Sequence, residues 1–251
     1  MLRINGLTKE FGGLLGLDHV SFPVPEGVIY GLIGPNGAGK TTLFNLITGT
    51  FKSTAGTVHL NNKLLTGLPP HRITQAGIGR TFQNIRIFRE MNLLENVMVG
   101  MHTHLRYGLA GTLLALPSHS REEKRGRERA RELLSWVSLD NKATIEAGSL
   151  SYGEQRKLEL ARALATEPKV LLIDEPAAGM NPAETEELMA QIIGISRRGY
   201  TILLIEHDMR LVMGVCQRIA VLNFGKLIAE GPPGEIRCNP EVIEAYLGKD
   251  V

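Results

Sequence analysis

Cysteine is nearly absent from this 251-residue sequence: Cys216 and Cys238 are the only two. Neither lies near a Cys/His cluster, which argues against a zinc site. The count leaves one disulfide open, but such sparse use suits a reducing compartment and two plain thiols. A net charge of any size is also missing. The formal value is +2, too close to neutral to argue for nucleic acid or an anionic surface as partner. Long hydrophobic runs are missing too. The longest candidate, Leu109 to Leu116, falls far short of the roughly 20 apolar residues that a membrane span needs. A membrane process served by this chain would need another chain to supply the spans. The opening Met1–Gly6 has no continuous apolar core and does not read as a signal peptide. Internal repeats and low-complexity tracts are absent as well.

What is present is ordinary for a soluble globular domain, with 43% hydrophobic and 22% charged residues. Short apolar runs alternate with helix-like segments. Ile29–Ile33 ends at Gly34, Val170–Ile173 runs into two acids, and Thr201–Ile205 runs into Glu206-His207-Asp208. Such runs read as buried parallel strands, and in sheets of that kind chemistry gathers at the carboxyl ends. Two further stretches read as hairpins: Gly56–Leu60 with Lys63–Leu65, and Arg218–Leu222 with Lys226–Glu230. The sheet is therefore expected to be mixed. From about Met91 to Ala147 the pattern is helical. Within it Glu123 and Arg127 are spaced i,i+4 on an exposed helix, with interleaved acids that weaken a nucleic-acid reading. His102 and His104 lack supporting ligands and read as surface residues, not a metal site.

Gly34-Pro35-Asn36-Gly37-Ala38-Gly39-Lys40-Thr41 fits G-x-x-x-x-G-K-[ST], between an expected strand and an expected helix, Thr41–Thr48. Glycines let the backbone turn tightly and aim N–H groups at phosphate oxygens, and the helix after the loop offers its positive end. Lys40 brings a point charge to the β and γ phosphates, and the Thr41 hydroxyl suits Mg²⁺. The sequence thus predicts a nucleotide and Mg²⁺ as ligands, the nucleotide being ATP by the resemblance that the later motifs carry.

Val170-Leu171-Leu172-Ile173-Asp174-Glu175 ends in two carboxylates. Asp174 suits Mg²⁺, directly or through water. Glu175 points the other way along an extended chain and is the candidate general base for the attacking water. By itself the pair reads equally as a strand running into a turn at Pro176. His207 is a candidate γ-phosphate sensor, or a structural histidine. Gln83 is a candidate Mg²⁺ ligand or water-orienting amide, and means nothing in isolation.

The order of these elements resembles the ABC-type ATPases over nearly the whole chain. The decisive stretch is Leu150-Ser151-Tyr152-Gly153-Glu154-Gln155, opening a helix through Leu164, which looks like the family signature. The resemblance implies an α/β fold. A P-loop NTPase core with a mixed sheet and an antiparallel β subdomain occupies residues 1–90 and 168–251 of a single cassette. An inserted helical subdomain occupies 91–167. It also implies that Ser151, Gly153 and Glu154 face nucleotide on a second, identical or homologous ATPase in a head-to-tail dimer. Thr42 would join the phosphate loop, and Phe11 would stack on adenine, where it otherwise reads as a packed core residue. Three positions depart from the common pattern. Tyr152 replaces glycine, and is tolerable only where no left-handed backbone is needed; Glu154 replaces glutamine; Asn181 replaces the aspartate expected after Ala178-Gly179-Met180.

Four stretches refine the resemblance to ATPases of branched-chain (hydrophobic) amino acid importers: Gly79–Asn84, Leu150–Gly153, Asp174–Gly179 and Ile205–Met209. An insertion between about Gly100 and Arg121 suits one of the two ATPases in such systems. The implied partners are polytopic permeases, docked through Ile85, Ile87, Phe88 and Met91, which otherwise read as burying within the helical lobe. A periplasmic or extracellular binding protein is engaged only indirectly, and nucleic acid not at all. The implied location is peripheral, on the cytoplasmic face of the inner membrane. Urea or amide importers, separate-subunit lipopolysaccharide-type exporters and soluble ABC ATPases of DNA repair or translation are the competing classes.

Overall fold

The computed structural model describes residues 1–103 and 117–247. The run Leu109–Leu116, His104 and most of the insertion between Gly100 and Arg121 lie outside the described residues. The strands, in chain order, are β1 (Leu2–Phe11), β2 (Leu14–Val24), β3 (Ile29–Ile33), β4 (Ala55–Leu60), β5 (Lys63–Leu64), β6 (Ile78–Arg80), β7 (Val170–Asp174), β8 (Thr201–Ile205), β9 (Arg218–Asn223) and β10 (Lys226–Gly231). The helices are α1 (Lys40–Ile47), α2 (Pro70–Ala76), α3 (Leu93–Gly100), α4 (Pro117–Trp136), α5 (Tyr152–Leu164), α6 (Pro182–Arg197), α7 (Met209–Val215), α8 (Pro233–Arg237) and α9 (Pro240–Leu247).

The strands form two sheets. One is four-stranded, in the order β2-β1-β4-β5, with antiparallel neighbours. The other is six-stranded, in the order β10-β9-β3-β8-β7-β6. It is parallel except for the β9–β10 hairpin at its edge, so the expected mixed sheet is found. The three expected parallel strands lie side by side as β3, β8 and β7, and both expected hairpins form, each within a residue of its predicted ends. The first hairpin, β1–β2, has no counterpart among the elements expected from sequence.

The central parallel strands β3, β8 and β7 are mostly apolar because both faces are buried, and their alternate residues divide between two cores. Tyr30, Leu32, Val170, Leu172, Leu203 and Ile205 point into a core closed by the antiparallel sheet and α1. Ile29, Ile33, Leu171, Ile173, Ile202 and Leu204 point into a second core. That second core also contains Leu93 and Val97 of α3, Leu133 and Leu134 of α4, Leu158 and Leu164 of α5, and Leu188 and Ile192 of α6. A strand of period 2 between two apolar layers has no polar face to show.

Three helices start with reciprocal capping boxes: Asn92 with Glu95, Ser151 with Glu154, and Asn181 with Glu184. In each, two N–H groups that would otherwise be unsatisfied at the helix start find acceptors. The Glu123–Arg127 pair forms at 2.9 Å between exposed side chains on α4, as its spacing predicts. No strand lies between 91 and 147 among the described residues, only an isolated bridge of Asn92 with Glu146.

Cys216 is buried and Cys238 exposed, both as free thiols. Burial pushes the Cys216 thiol up to about 12. Since the thiolate is the reactive form, alkylation of the native protein at pH 8 should modify Cys238 alone and reach Cys216 only in denaturant. Mass spectrometry of the labelled protein checks this; rapid native labelling of Cys216 would contradict the packing around β3.

Candidate nucleotide site

The loop between β3 and α1 is shaped by contacts too close for side chains. A Cβ on Gly34, whose φ is +149°, would stand 2.1 Å from the Leu222 carbonyl oxygen. One on Gly39, at φ +102°, would meet the Gly16 oxygen at 2.7 Å. Only glycine satisfies both the left-handed backbone and the approach. Within the loop, the Ala38 N–H donates to Pro35 O at 3.1 Å, and the Gly225 N–H to Ala38 O at 3.0 Å. Pro35, Asn36 and Gly37 complete the turn. Helix α1 begins at Lys40 with no side-chain cap at Gly39, and the N–H groups of a first helical turn have no acceptor within the helix. Positive helix end, unmatched donors and lysine together fit a phosphate. Thr41 lies exposed at the start of the helix, and Thr42 half-buried behind it.

Lys40 is buried and turned back on the loop, with Nζ donating to Gly34 O at 2.7 Å and Pro35 O at 2.9 Å. Burial lowers its pKa, and the charges of Glu175 and Asp174 oppose that shift. Asp174, the last residue of β7, is buried and accepts from Arg80 Nη2 at 3.1 Å. Burial raises its pKa, and the Arg80 guanidinium pulls it back down. Glu175 has the left-handed backbone value φ +46°, sparsely populated for a side-chain-bearing residue and common at functional positions. Its N–H is anchored to Ile205 O at 2.9 Å, and its Oε2 accepts from Gln83 Nε2 at 2.9 Å. The structure thus brings Lys40, Asp174, Glu175 and Gln83 together.

These groups also fit a hard cation. No cluster of three or more His, Cys, Asp or Glu exists among the described residues. The donors at hand are the Thr41 hydroxyl, the amide oxygen of Gln83, the second oxygen of Asp174, and a phosphate. Mg²⁺ suits such a set, since it keeps several waters and takes few protein ligands.

His207 is exposed on the loop after β8, its Nδ1 3.6 Å from Glu206 Oε2. Glu206 itself is buried, and its carboxylate accepts from the N–H groups of Ala177 (2.9 Å), His207 (2.8 Å) and Asp208 (3.2 Å). It fastens the loop after Glu175 to the loop that carries His207. Phe11 is half-exposed, edge-on to Phe51 at 5.6 Å and under Lys9 Nζ at 4.9 Å.

Ser151, Gly153 and Glu154 form a separate group at the start of α5. Ser151 Oγ accepts from the Glu154 N–H and donates to Glu154 Oε2. The other oxygen of Glu154 is held by Lys142, so its carboxylate is spent on capping here. Among the described residues no hydrogen bond joins 151–154 to 34–41. Tyr152 takes an ordinary helical backbone, so the condition for tolerating it is met. Its hydroxyl accepts from Arg156 Nη2 at 3.0 Å, and its ring lies where a Cβ on Gly179 would touch it at 3.3 Å. Asn181 caps α6, with Oδ1 accepting from the Glu184 N–H at 3.0 Å. Asparagine caps a helix as well as aspartate does.

Ile85 and Ile87 are half-buried, while Phe88 and Met91 are exposed. Ile87 and Phe88 line a cleft of about 420 Å³ with Phe82, Arg86 and Arg162; Ile85 and Met91 do not. The alternative of burial within the helical lobe holds for Ile87, which packs on the core under the helices.

Sequence reasoning passed over Arg80 and Glu206. Both are ionisable residues at the end of an apolar strand, a local signal, but their partners are distant in sequence.

The profile of the family described as ABC transporter matches residues 17–178. The chain belongs to the ABC transporter family. A second profile, described as branched-chain amino acid ATP-binding cassette transporter, matches residues 226–251. Among similar proteins, the high-affinity branched-chain amino acid transport ATP-binding protein LivG of Salmonella typhimurium is 49% identical, covering 99% of this chain and 98% of that protein. BraF of Pseudomonas aeruginosa, with the same description, is 46% identical at the same coverage. A nucleotide-free ATP-binding cassette from an ABC transporter superposes with a TM-score of 0.85 at 34% identity, covering 99% of both chains. A dimeric post-hydrolysis structure of the ATP-binding cassette MJ0796 bound to ADP and Pi superposes at 0.78 with 26% identity, covering 93% and 99%. The glycine-lined loop and the acids at the end of β7 are therefore parts of an ABC cassette.

The three-fold role of Glu206 makes a measurable demand. Glu206→Gln turns one acceptor oxygen into a donor facing backbone N–H groups. Leaving a buried polar group unmatched costs about 1–3 kcal/mol, so urea unfolding should show a loss of that order. An unchanged midpoint would mean that the loops hold together without this carboxylate.

Proposed function

We propose that this chain is the ATP-hydrolysing motor of an importer for branched-chain or other hydrophobic amino acids. The observation that carries the reading is the near-full-length identity of 46–49% to branched-chain amino acid transport ATP-binding proteins. No helix among the described residues is long and apolar enough to cross a membrane. The transport path would therefore belong to permease chains, with this subunit peripheral on their cytoplasmic side. A substrate-binding protein would act on the permease and touch this chain only through it.

In this reading Lys40 leaves the carbonyls of Gly34 and Pro35 for the β and γ phosphates, and the backbone from Gly34 to Thr42 wraps them. Phe11 offers its exposed ring to adenine. Thr41, Gln83 and Asp174 would hold Mg²⁺, whose contribution when bound would be to neutralise charge on the phosphoryl group. Glu175 takes the proton of the attacking water; its bond to Gln83 sets where that carboxylate points. His207 donates a hydrogen bond to the γ-phosphate from the loop that Glu206 anchors. Ser151, Gly153 and Glu154 complete the site of a second ATPase, identical or homologous, packed head to tail. The helical segment 91–167 carries that signature and moves with the permease, whose cytoplasmic segment docks in the cleft by Ile87 and Phe88.

Glu175→Gln should lose about 10²- to 10⁴-fold in turnover, the usual weight of a general base, while still binding ATP and accumulating as an ATP-bound dimer on size exclusion. Lys40→Ala should bind and hydrolyse ATP poorly. Rapid hydrolysis by Glu175→Gln would remove Glu175 as base. The transport reading is tested by trapping tagged Glu175→Gln protein with Mg-ATP, solubilising membranes gently and identifying what co-purifies. Two polytopic permeases, and then ATP-dependent leucine uptake on reconstitution, are the expected result. Recovery of ribosome or DNA-repair factors instead would overturn it.

A further inference from the structure

Arg80 is a charged side chain at the end of a three-residue strand, and its side chain is only 9% exposed. Its guanidinium reaches three elements at once. Nη1 donates to Asn45 Oδ1 at 2.8 Å and to Thr48 Oγ1 at 3.1 Å, both near the far end of α1, the helix that starts at Lys40. Nη2 donates to Asp174 Oδ2 at 3.1 Å. Its faces lie 5.6 Å from the Phe44 ring of α1 and 5.2 Å from that of Phe82, the residue before Gln83. Arg80 also forms part of the wall of the cleft by Ile87 and Phe88. A planar fork can hold such a constellation; a point charge cannot.

We infer that Arg80 is the positioning residue that orients Asp174 for a divalent cation. By taking Oδ2 it leaves Oδ1 as the oxygen presented to the metal or to its water. By gripping Asn45 and Thr48 it fixes that oxygen relative to the helix whose first turn carries Thr41. Outer partners that orient a ligating carboxylate in this way contribute about 10- to 100-fold to metal affinity. The inference rests on the reading of Asp174 as a metal-holding group.

The test measures Mn²⁺ binding to the full-length protein saturated with ADP, by electron paramagnetic resonance. In parallel, the affinity for a fluorescent ADP analogue is measured in excess chelator. Arg80→Met should weaken Mn²⁺ binding about 10- to 100-fold and leave metal-free nucleotide affinity unchanged. Arg80→Lys should recover only part, because it supplies charge without the fork. A merely structural arginine would lower stability or nucleotide affinity and leave the ratio of the two affinities unmoved. If Arg80→Met does not fold, Asn45→Ala/Thr48→Val, which strips the anchors of Arg80 and leaves Asp174 intact, should still weaken Mn²⁺ binding in the same direction. Unchanged or tighter Mn²⁺ binding in a folded variant of either kind overturns the proposal. Asp174→Asn separates it from the reading beneath it. If Asp174→Asn keeps native Mn²⁺ affinity, the metal assignment itself fails; if only the Arg80 variants do, the positioning role alone fails.

Discussion

The register of the parallel ladder is the constraint on which the rest of this structure depends. Asp174 of β7 stands opposite Ile205 of β8, and Leu32 of β3 stands opposite the same Ile205. Three strands therefore run out at one level, and their exit residues emerge at one edge: Gly34 after β3, Glu175 after β7, Glu206 after β8. A slip of one residue would turn every side chain of the strand to the other face. With two apolar cores on either side, such a slip would exchange one full set of buried contacts for another that does not fit. The hydrophobic effect thus sets the relative height of the glycine-lined loop, Glu175 and Glu206 to within a residue, although none of those groups takes part in it.

Those elements whose information is local were legible in the sequence. Gly34 and Gly39 announce themselves because their close approach permits no other residue, and β3, β7 and β8 do so because burial on both faces demands continuous apolar runs. The β1–β2 hairpin escaped notice for a physical reason. Its pairing is broken by shifts between Ile4 and Leu7, Leu7 and Lys9, and Lys9 and Glu10. Each shift interrupts the period-2 alternation by which a half-buried strand is recognised. Arg80 and Glu206 were illegible in a different way. Each is an ionisable residue where a strand ends, and only the fold supplies the partner: Asp174, 94 residues on from Arg80, or Ala177, 29 residues before Glu206.

The departures at Tyr152, Glu154 and Asn181 gain a common explanation from helix physics. Tyr152 occupies the first turn of α5, where the backbone is right-handed and a side chain costs nothing. Glu154 and Asn181 are each half of a capping box. Glutamate at the third helical position and asparagine at the cap meet the requirements of a helix start directly. Their acidic or polar oxygens also suit the positive end of the dipole. These substitutions thus serve the ends of α5 and α6 whatever else the positions do.

On the proposed reading, the same bonds that stabilise the isolated chain are surrendered when it works. Lys40 is satisfied by two loop carbonyls and Ser151 by Glu154, so neither offers an idle donor to a phosphate. A neutral hydrogen bond contributes about 0.5–1.5 kcal/mol net, so exchanging one for another gains little. The larger gain comes from charge: a polyanion is a better acceptor than a carbonyl, and charge-assisted bonds are roughly twice as strong as neutral ones. Side chains that begin satisfied therefore discriminate by charge. A neutral ligand of similar shape would have to break the Lys40 and Ser151 contacts without a matching return. On the proposed reading, a phosphate chain that meets Lys40 in one subunit and the helix end at Ser151 in another repays both exchanges together, which would tie closure of such a pair to the terminal phosphate.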